Sequence, residues 1–122
     1  MSPQSGDNRR DTGLAKEELA SRYLQARGLQ LLARNYRCAA GEVDLIMRHG
    51  KELVFVEVRF RHSATHGTPA ETVTRTKQGR IARAAAHYLQ RHPGNPPCRF
   101  EMVGIEAADR IDWIPDAFRL EA

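Results

Sequence analysis

The sequence predicts an α/β fold in which helices cover a central mixed β-sheet. Three observations carry that expectation. Leu53-Val54-Phe55-Val56-Glu57-Val58 is apolar on both faces apart from one carboxylate, the pattern of a strand covered on both sides. Gly41-Glu42-Val43-Asp44-Leu45-Ile46 precedes it across Arg48-His49-Gly50-Lys51, so the two runs read as a β-hairpin. Helical patterns then fall before and after these strands, in the order helix, three strands, helix, two strands, which gives an α/β sandwich.

Met1 to Thr12 is polar and aperiodic, and is expected to be a disordered tail ahead of one domain covering residues 13–122. Asp11 or Thr12 can cap a helix from about Gly13 to Arg27, which Gly28 stops. Ala20, Tyr23 and Leu24 form its apolar face; Glu17 lies on that face, whereas Glu18 turns toward solvent. On pattern alone Glu17 is either an acid favoured by the helix dipole in the first turns or part of a site. Leu29 to Tyr36 reads as a first strand and Arg37 to Gly41 as a connecting loop. Arg61 to Pro69 reads as a mobile loop; without a helix there, the spacing of His62 and His66 does not make a ligand pair, and they are expected at the surface.

Thr74 or Thr76 caps a second helix reaching His92, stopped by Pro93-Gly94-Asn95-Pro96-Pro97. Ile81, Ala84, Ala85, Tyr88 and Leu89 form its apolar stripe, and Arg80, Arg83, His87 and Arg91 a separate basic one. Such a stripe is either a solvated face or a surface for phosphates. Lys77 stands in the first turn, where the helix dipole disfavours a cation, which marks it for a phosphate or active-site role beside the plainer reading as a solvated lysine. Cys98 to Ile105 is a strand, and Arg110 to Ile114 a last one, ended by Pro115, with Trp113 as a hydrophobic anchor.

At 122 residues the chain is long enough for one compact core, and 41% hydrophobic with 28% charged residues is ordinary for a soluble domain. No apolar run approaches the roughly 20 residues of a membrane helix, and the first residues lack the apolar segment of a signal peptide. Cys38 and Cys98 stand alone, without Cys-x-x-Cys spacing, so a cytoplasmic location with two reduced thiols is expected. The net charge is +4. Arg9 and Arg10 cancel against Asp7 and Asp11, so the excess belongs to the folded part. Nucleic acid is the natural partner of such a surface.

The hairpin brings the chemistry together. A glutamate in an apolar strand is costly to bury unless a cation meets it. A four-residue loop, His49 to Glu52, sets Asp44 opposite Glu57, about 5 Å away, while a two-residue loop, His49-Gly50, sets it on the diagonal, roughly 7–8 Å away. Either register puts both acids on one face; a three-residue loop would separate them. Arg59, two residues beyond Glu57, shares that residue's face. Two carboxylates and a cation at a strand end suit a divalent metal and a phosphate.

Gly13-x-x-x-Glu17-x-x-Ala20, Arg34-Asn35-Tyr36-Arg37, Gly41-Glu42-Val43-Asp44-Leu45-Ile46, Val54-Phe55-Val56-Glu57-Val58-Arg59 and Arg99-Phe100-Glu101-Met102-Val103 occur in that order. This ordered set resembles the YraN-like family of small bacterial proteins, described as endonuclease-like, over nearly the whole chain from Gly13 to Phe118. Through that family the chain is similar to the restriction-endonuclease-like PD-(D/E)xK superfamily, and most to archaeal Holliday junction resolvases. The resemblance implies a restriction-endonuclease-like sandwich with Asp44, Glu57 and Glu17 as ligands of Mg²⁺ or Mn²⁺. Arg59 stands where the superfamily has lysine; it cannot be a general base but can hold a phosphate. Glu101 stands where aspartate is expected in the family. The implied function is structure-selective cleavage of branched or flapped DNA, with a resolvase-like task calling for a symmetric dimer. The alternatives are a non-catalytic nucleic-acid-binding module that keeps the nuclease fold, which Arg59 favours, and an interaction protein whose basic surface binds an acidic partner.

Overall fold

A computed structural model of the protein describes residues 8–60, 74–106 and 110–118, with side chains from Leu14 onward and as far as Pro115. The order is α1 (Asn8–Gln25), β1 (Gln30–Cys38), β2 (Gly41–His49), β3 (Glu52–Phe60), α2 (Arg75–Arg91), β4 (Cys98–Ile105) and β5 (Ile111–Phe118). The strands form one sheet in the order β1-β2-β3-β4-β5. Its only parallel pair among these is β3 with β4, joined by the connection that carries α2, as a parallel crossover requires. The architecture is thus the expected α/β sandwich on a mixed sheet, consistent with a restriction-endonuclease-like fold, and β3 is its central strand.

Each helix covers one face. Ala20 and Leu24 of α1 close over Leu45, Met47, Val54, Val56, Val103 and Ile105. Ile81, Ala84, Ala85 and Tyr88 of α2 close over Ile46, Leu53, Phe55 and Phe100 on the other face. β3 contributes to both layers, Val54 and Val56 to one, Leu53 and Phe55 to the other, which is why its sequence is apolar without alternation.

Several boundaries move. The first helix begins at Asn8, ahead of the start expected at Gly13. Residues 1–7, His62 and His66 lie outside the described residues. Gly28 takes the left-handed conformation just past α1, at φ 97°. β1 runs on to Cys38, leaving only Ala39 and Ala40 as the turn into β2 where a longer loop was expected. Thr74 is the cap of α2, its side chain accepting from the Lys77 N–H at 3.2 Å. Pro115 does not end the last strand, which continues to Phe118. β5 is an edge strand, and its pairing with β4 slips between Met102↔Ile114 and Phe100↔Phe118, so the proline falls where the ladder is interrupted. Trp113 anchors as expected and also donates Nε1–H to Glu101 Oε1 at 2.9 Å.

Gly41 is where α2 meets the sheet. A Cβ there would fall inside the contact distance of the Arg80 carbonyl oxygen, a backbone atom that a rotamer change cannot move. The Arg83 guanidinium holds the same junction, donating Nε–H to the Ala40 carbonyl at 3.0 Å. Gly41→Ala should therefore push α2 off β2, costing about 1–3 kcal/mol as overpacking does. Thermal melting should show Tm lower by roughly 5 °C or more; an unchanged Tm would mean the helix is not seated on this glycine.

Candidate active site

The β2–β3 turn is Gly50-Lys51, and the ladder runs His49↔Glu52 to Leu45↔Val56. One further step in that register sets Asp44 opposite Glu57, the closer of the two same-face registers. The ladder stops just there. The Val58 N–H donates to the Asp44 side chain instead, 2.8 Å from Oδ2. Side-chain alternation slips at the same place: Leu45 packs against the α1 layer, yet Val43, two residues away, packs against the α2 layer. Across the sheet, Arg34↔Leu45 and Tyr36↔Val43 bracket Asn35 against Asp44, and Asn35 has φ 50°, left-handed in the middle of a strand.

This irregularity lets one acid meet groups from both layers. Burial raises the pKa of Asp44 to about 8, helped by the neighbouring Glu57 charge and opposed by the Val58 N–H. Burial likewise raises Glu57, while its hydrogen bond with Asp44 and the Lys77 and Arg59 charges pull it down. The pair therefore keeps a proton to higher pH than an exposed carboxyl would. Glu17 of α1 is raised by burial and then by the Asp44 charge, with Asn35, Arg34 and Arg37 opposing. Its Oε1 is buried and has no hydrogen-bond partner. Among the described residues no three His, Cys, Asp or Glu side chains are closed into a ready-made metal cluster. The arrangement is an acid pair with a third acid beside it.

On the α2 side, a cleft of about 140 Å³ is lined by Glu57, Glu42, Lys77, Arg80 and Ile81. Glu42 lies 3.6 Å from Arg80 and 4.0 Å from Arg37, so it gathers two guanidiniums at the rim. The sequence-derived cations thus divide. Lys77 and Arg80 line this cleft, and the Arg59 charge acts on Glu57. Arg83 is engaged by the Ala40 carbonyl. Arg91 sits exposed in the last turn of α2, where the helix dipole favours a cation, roughly 16 Å along the axis from Arg80. His87 of the same stripe bonds through Nδ1 to the Tyr36 hydroxyl at 2.6 Å and is not a free face. Asn35, Arg37 and Glu42 were not singled out as site residues from sequence. An asparagine inside an otherwise strand-like run was the available signal, since strands disfavour it.

The raised acids set a pH dependence in the metal-free protein. Unfolded, Asp44 loses its proton near 3.8; folded, it keeps it to about 8. Between those values the folded chain binds more protons, so this stability is complete below the lower value and is lost as pH rises through the higher one. Glu17 and Glu57, both raised, add the same sign. In a chelating buffer Tm should fall between about pH 5 and about pH 8.5, and Asp44→Asn should flatten that slope and melt about 5 °C or more higher at the alkaline end. A wild-type Tm that climbs over this range would contradict the assignment.

The uncharacterised protein family UPF0102 matches residues 16–105 of the chain. A UPF0102 protein of Nitrosococcus oceani is 52% identical, covering 93% of this chain and 95% of its own length. Another, from Aeromonas hydrophila, is 54% identical over 84% of this chain and 80% of its own. Among solved structures, that of Pyrococcus furiosus SfsA in complex with Ca²⁺ aligns with 87% of this chain and 63% of that chain. Its 13% identity and TM-score of 0.37 are too low to bear on fold or chemistry. No described helix is long and apolar enough to cross a membrane. With the family matched from the first site helix to the end of β4 and relatives sharing half their residues, the chain belongs to the UPF0102 family.

Proposed function

We propose that the protein is a divalent-metal-dependent nuclease that hydrolyses phosphodiesters in branched or flapped DNA. The observation that carries this reading is the acid set itself: Asp44 paired with Glu57, and Glu17 beside them with a buried oxygen lacking any hydrogen-bond partner. Clustered, desolvated carboxylates destabilise a fold unless a cation offsets them. The donors are all hard oxygens, which fit Mg²⁺ or Mn²⁺ rather than a softer metal. Mg²⁺ commonly takes one or two carboxylates and completes its shell with water and substrate phosphates, so a closed protein cage is not required. When bound, such an ion lowers the pKa of water and neutralises charge on the phosphoryl oxygens.

The chain's own residues have separable parts in this scheme. Asp44 and Glu57, once ionised, hold the cation, and the Val58 N–H fixes the Asp44 carboxylate. Arg59 and Lys77, whose charges act on Glu57, supply fixed positive charge for a phosphate. The first turn of α2 contains no acid, so its N-terminal dipole adds to theirs. Arg37 and Arg80, held at the rim by Glu42, suit the phosphates flanking the scissile one. Among the described residues the cleft offers charged groups suited to phosphates, which favours recognition of shape over sequence. Arg59 also supports a second reading, a non-catalytic DNA-binding module, because arginine cannot take the proton-transfer role open to lysine.

Incubating the protein with Mg²⁺ or Mn²⁺ and branched, flapped or linear DNA tests the first reading. Metal-dependent cleavage of branched or flapped substrates is expected; Arg59→Ala should slow it by about 10²–10³, and Arg59→Lys should retain part of it. If neither wild type nor Arg59→Lys cuts any of these, the protein is the binding module. If only Arg59→Lys cuts, catalysis was lost through this residue alone.

DNA binding makes a separate prediction. Lys77→Ala and Arg80→Ala should each reduce the slope of log affinity against log salt by about 0.9 on duplex DNA, as loss of one phosphate contact does. Arg91→Ala, remote from the cleft, should leave that slope unchanged. Equal slopes for all three variants would remove the rim from the interface.

A further inference from the structure

We infer that Asn35 is a positioning residue of this site, holding the Glu17 carboxylate beside Asp44 through its side-chain amide. The inference rests on the metal-dependent reading above and assigns a role to Asn35, which the proposed chemistry otherwise leaves idle.

Three independent observations converge on Asn35. The first is its backbone. Among described non-glycine residues only Asn35 and Asn95 have positive φ, and Asn95 lies in the loop after α2. Asn35 has it at φ 50° inside β1, where a side chain with a Cβ is strained and asparagine is among the few that tolerate it. The second is register: Asn35 is bracketed against Asp44, at the point where both β1 and β2 lose their alternation. The third is the disposal of its neighbours. Arg34 pairs with Glu18 on α1, Tyr36 bonds to His87 on α2, and Arg37 leans to Glu42. That leaves Asn35 half-buried between them with its carboxamide on Glu17.

The chemistry of an amide suits that position. Asn35 acts on the Glu17 carboxylate, whose Oε1 is buried without a hydrogen-bond partner. A neutral N–H donor orients a carboxylate without neutralising it, so the charge and one oxygen stay available to a cation. Arginine in that place would cancel the charge, and an acid would repel it. Groups that orient metal ligands in this way commonly change affinity about 10–100-fold when removed.

Glycine separates the two roles open to Asn35, because it keeps the left-handed backbone and deletes the amide. Mn²⁺ titration of the full chain by calorimetry should find Asn35→Gly about 10-fold or more weaker than wild type, with Tm nearly unchanged. Asp44→Asn should abolish binding. If the amide acts through Glu17, the double variant Asn35→Gly/Glu17→Gln should bind no more weakly than Glu17→Gln alone. Full affinity in Asn35→Gly, or additive losses in the double variant, would overturn the inference while leaving the metal site standing. A wild type that takes up no Mn²⁺ would overturn the functional reading, and this with it. Should Asn35→Gly fail to fold, the side-chain amide resonances of Asn35 in Glu17→Gln give the answer: they should shift from their wild-type positions, and unshifted resonances refute the contact.

Discussion

The hydrogen bond from the Val58 N–H to Asp44 Oδ2 is the point on which the rest of the site depends. A backbone donor in the central strand needs a partner, because leaving one buried and unpaired costs about 1–3 kcal/mol. Here a side chain serves where the β2–β3 ladder has ended. That substitution frees β2 from strict alternation between Val43 and Leu45, and β1 follows at Asn35. In a regular sheet an acid on β2 would face one helical layer only. With the slip, Asp44 is felt both by Glu17 on α1 and by Glu57, which faces Lys77 on α2.

The surrounding charge is arranged to tolerate this concentration of carboxylate without cancelling it. Arg34, Arg37, Arg59 and Lys77 each lower one of the raised acids by acting at a distance. None of them forms an ion pair with Glu17, Asp44 or Glu57 among the described residues. Arg34 is taken by Glu18, and Arg37 and Arg80 by Glu42. Glu42 in turn raises both Asp44 and Glu57. It keeps the two guanidiniums at the rim, where both stay exposed, rather than letting them collapse onto the acids.

The fold was readable in the sequence where hydrophobic pattern decides structure. The two-faced apolar run of β3, the stripe from Ile81 to Leu89 and the Pro-Gly cluster after α2 each predicted an element that is present. Boundaries failed where tertiary context overrides a local signal: Pro115 stays in a strand because β5 lies at an edge with an interrupted ladder. Strand period alone put Glu57 and Arg59 on one face, whereas Asp44 joins them only in two of the three hairpin registers that were open, and the turn decides among those. Glu17 needed the resemblance to lift it above an ordinary helix-start acid. The basic stripe was read from helical spacing, which groups residues by angle and ignores distance along the axis and existing contacts. Arg83 is spent on a carbonyl, His87 on a hydroxyl, and Arg91 lies turns away from the cleft. Asn35 was least accessible, since its role depends on a backbone angle that no pattern of polarity encodes.

A second buried acid shows what separates a site from a structural ion network. Glu101 of β4 is fully buried, more so than Asp44 or Glu57. Yet Arg99 Nε donates to its Oε2 at 2.6 Å and Trp113 to its Oε1 at 2.9 Å, so both oxygens are met. Arg99 is itself shared with Glu52 and His49, and Trp113 packs edge-on against Tyr23. This network ties the edge strand β5 and the end of the β2–β3 hairpin to the core, and it meets both Glu101 oxygens from within. Glu17 lies in the same molecule under milder burial with an oxygen that nothing meets. A fold able to satisfy Glu101 so completely does not lack the means to satisfy Glu17. The difference lies in what each acid meets: a guanidinium at hydrogen-bond distance in one case, the Asp44 carboxylate in the other. Only the second arrangement gains from a cation brought in from outside.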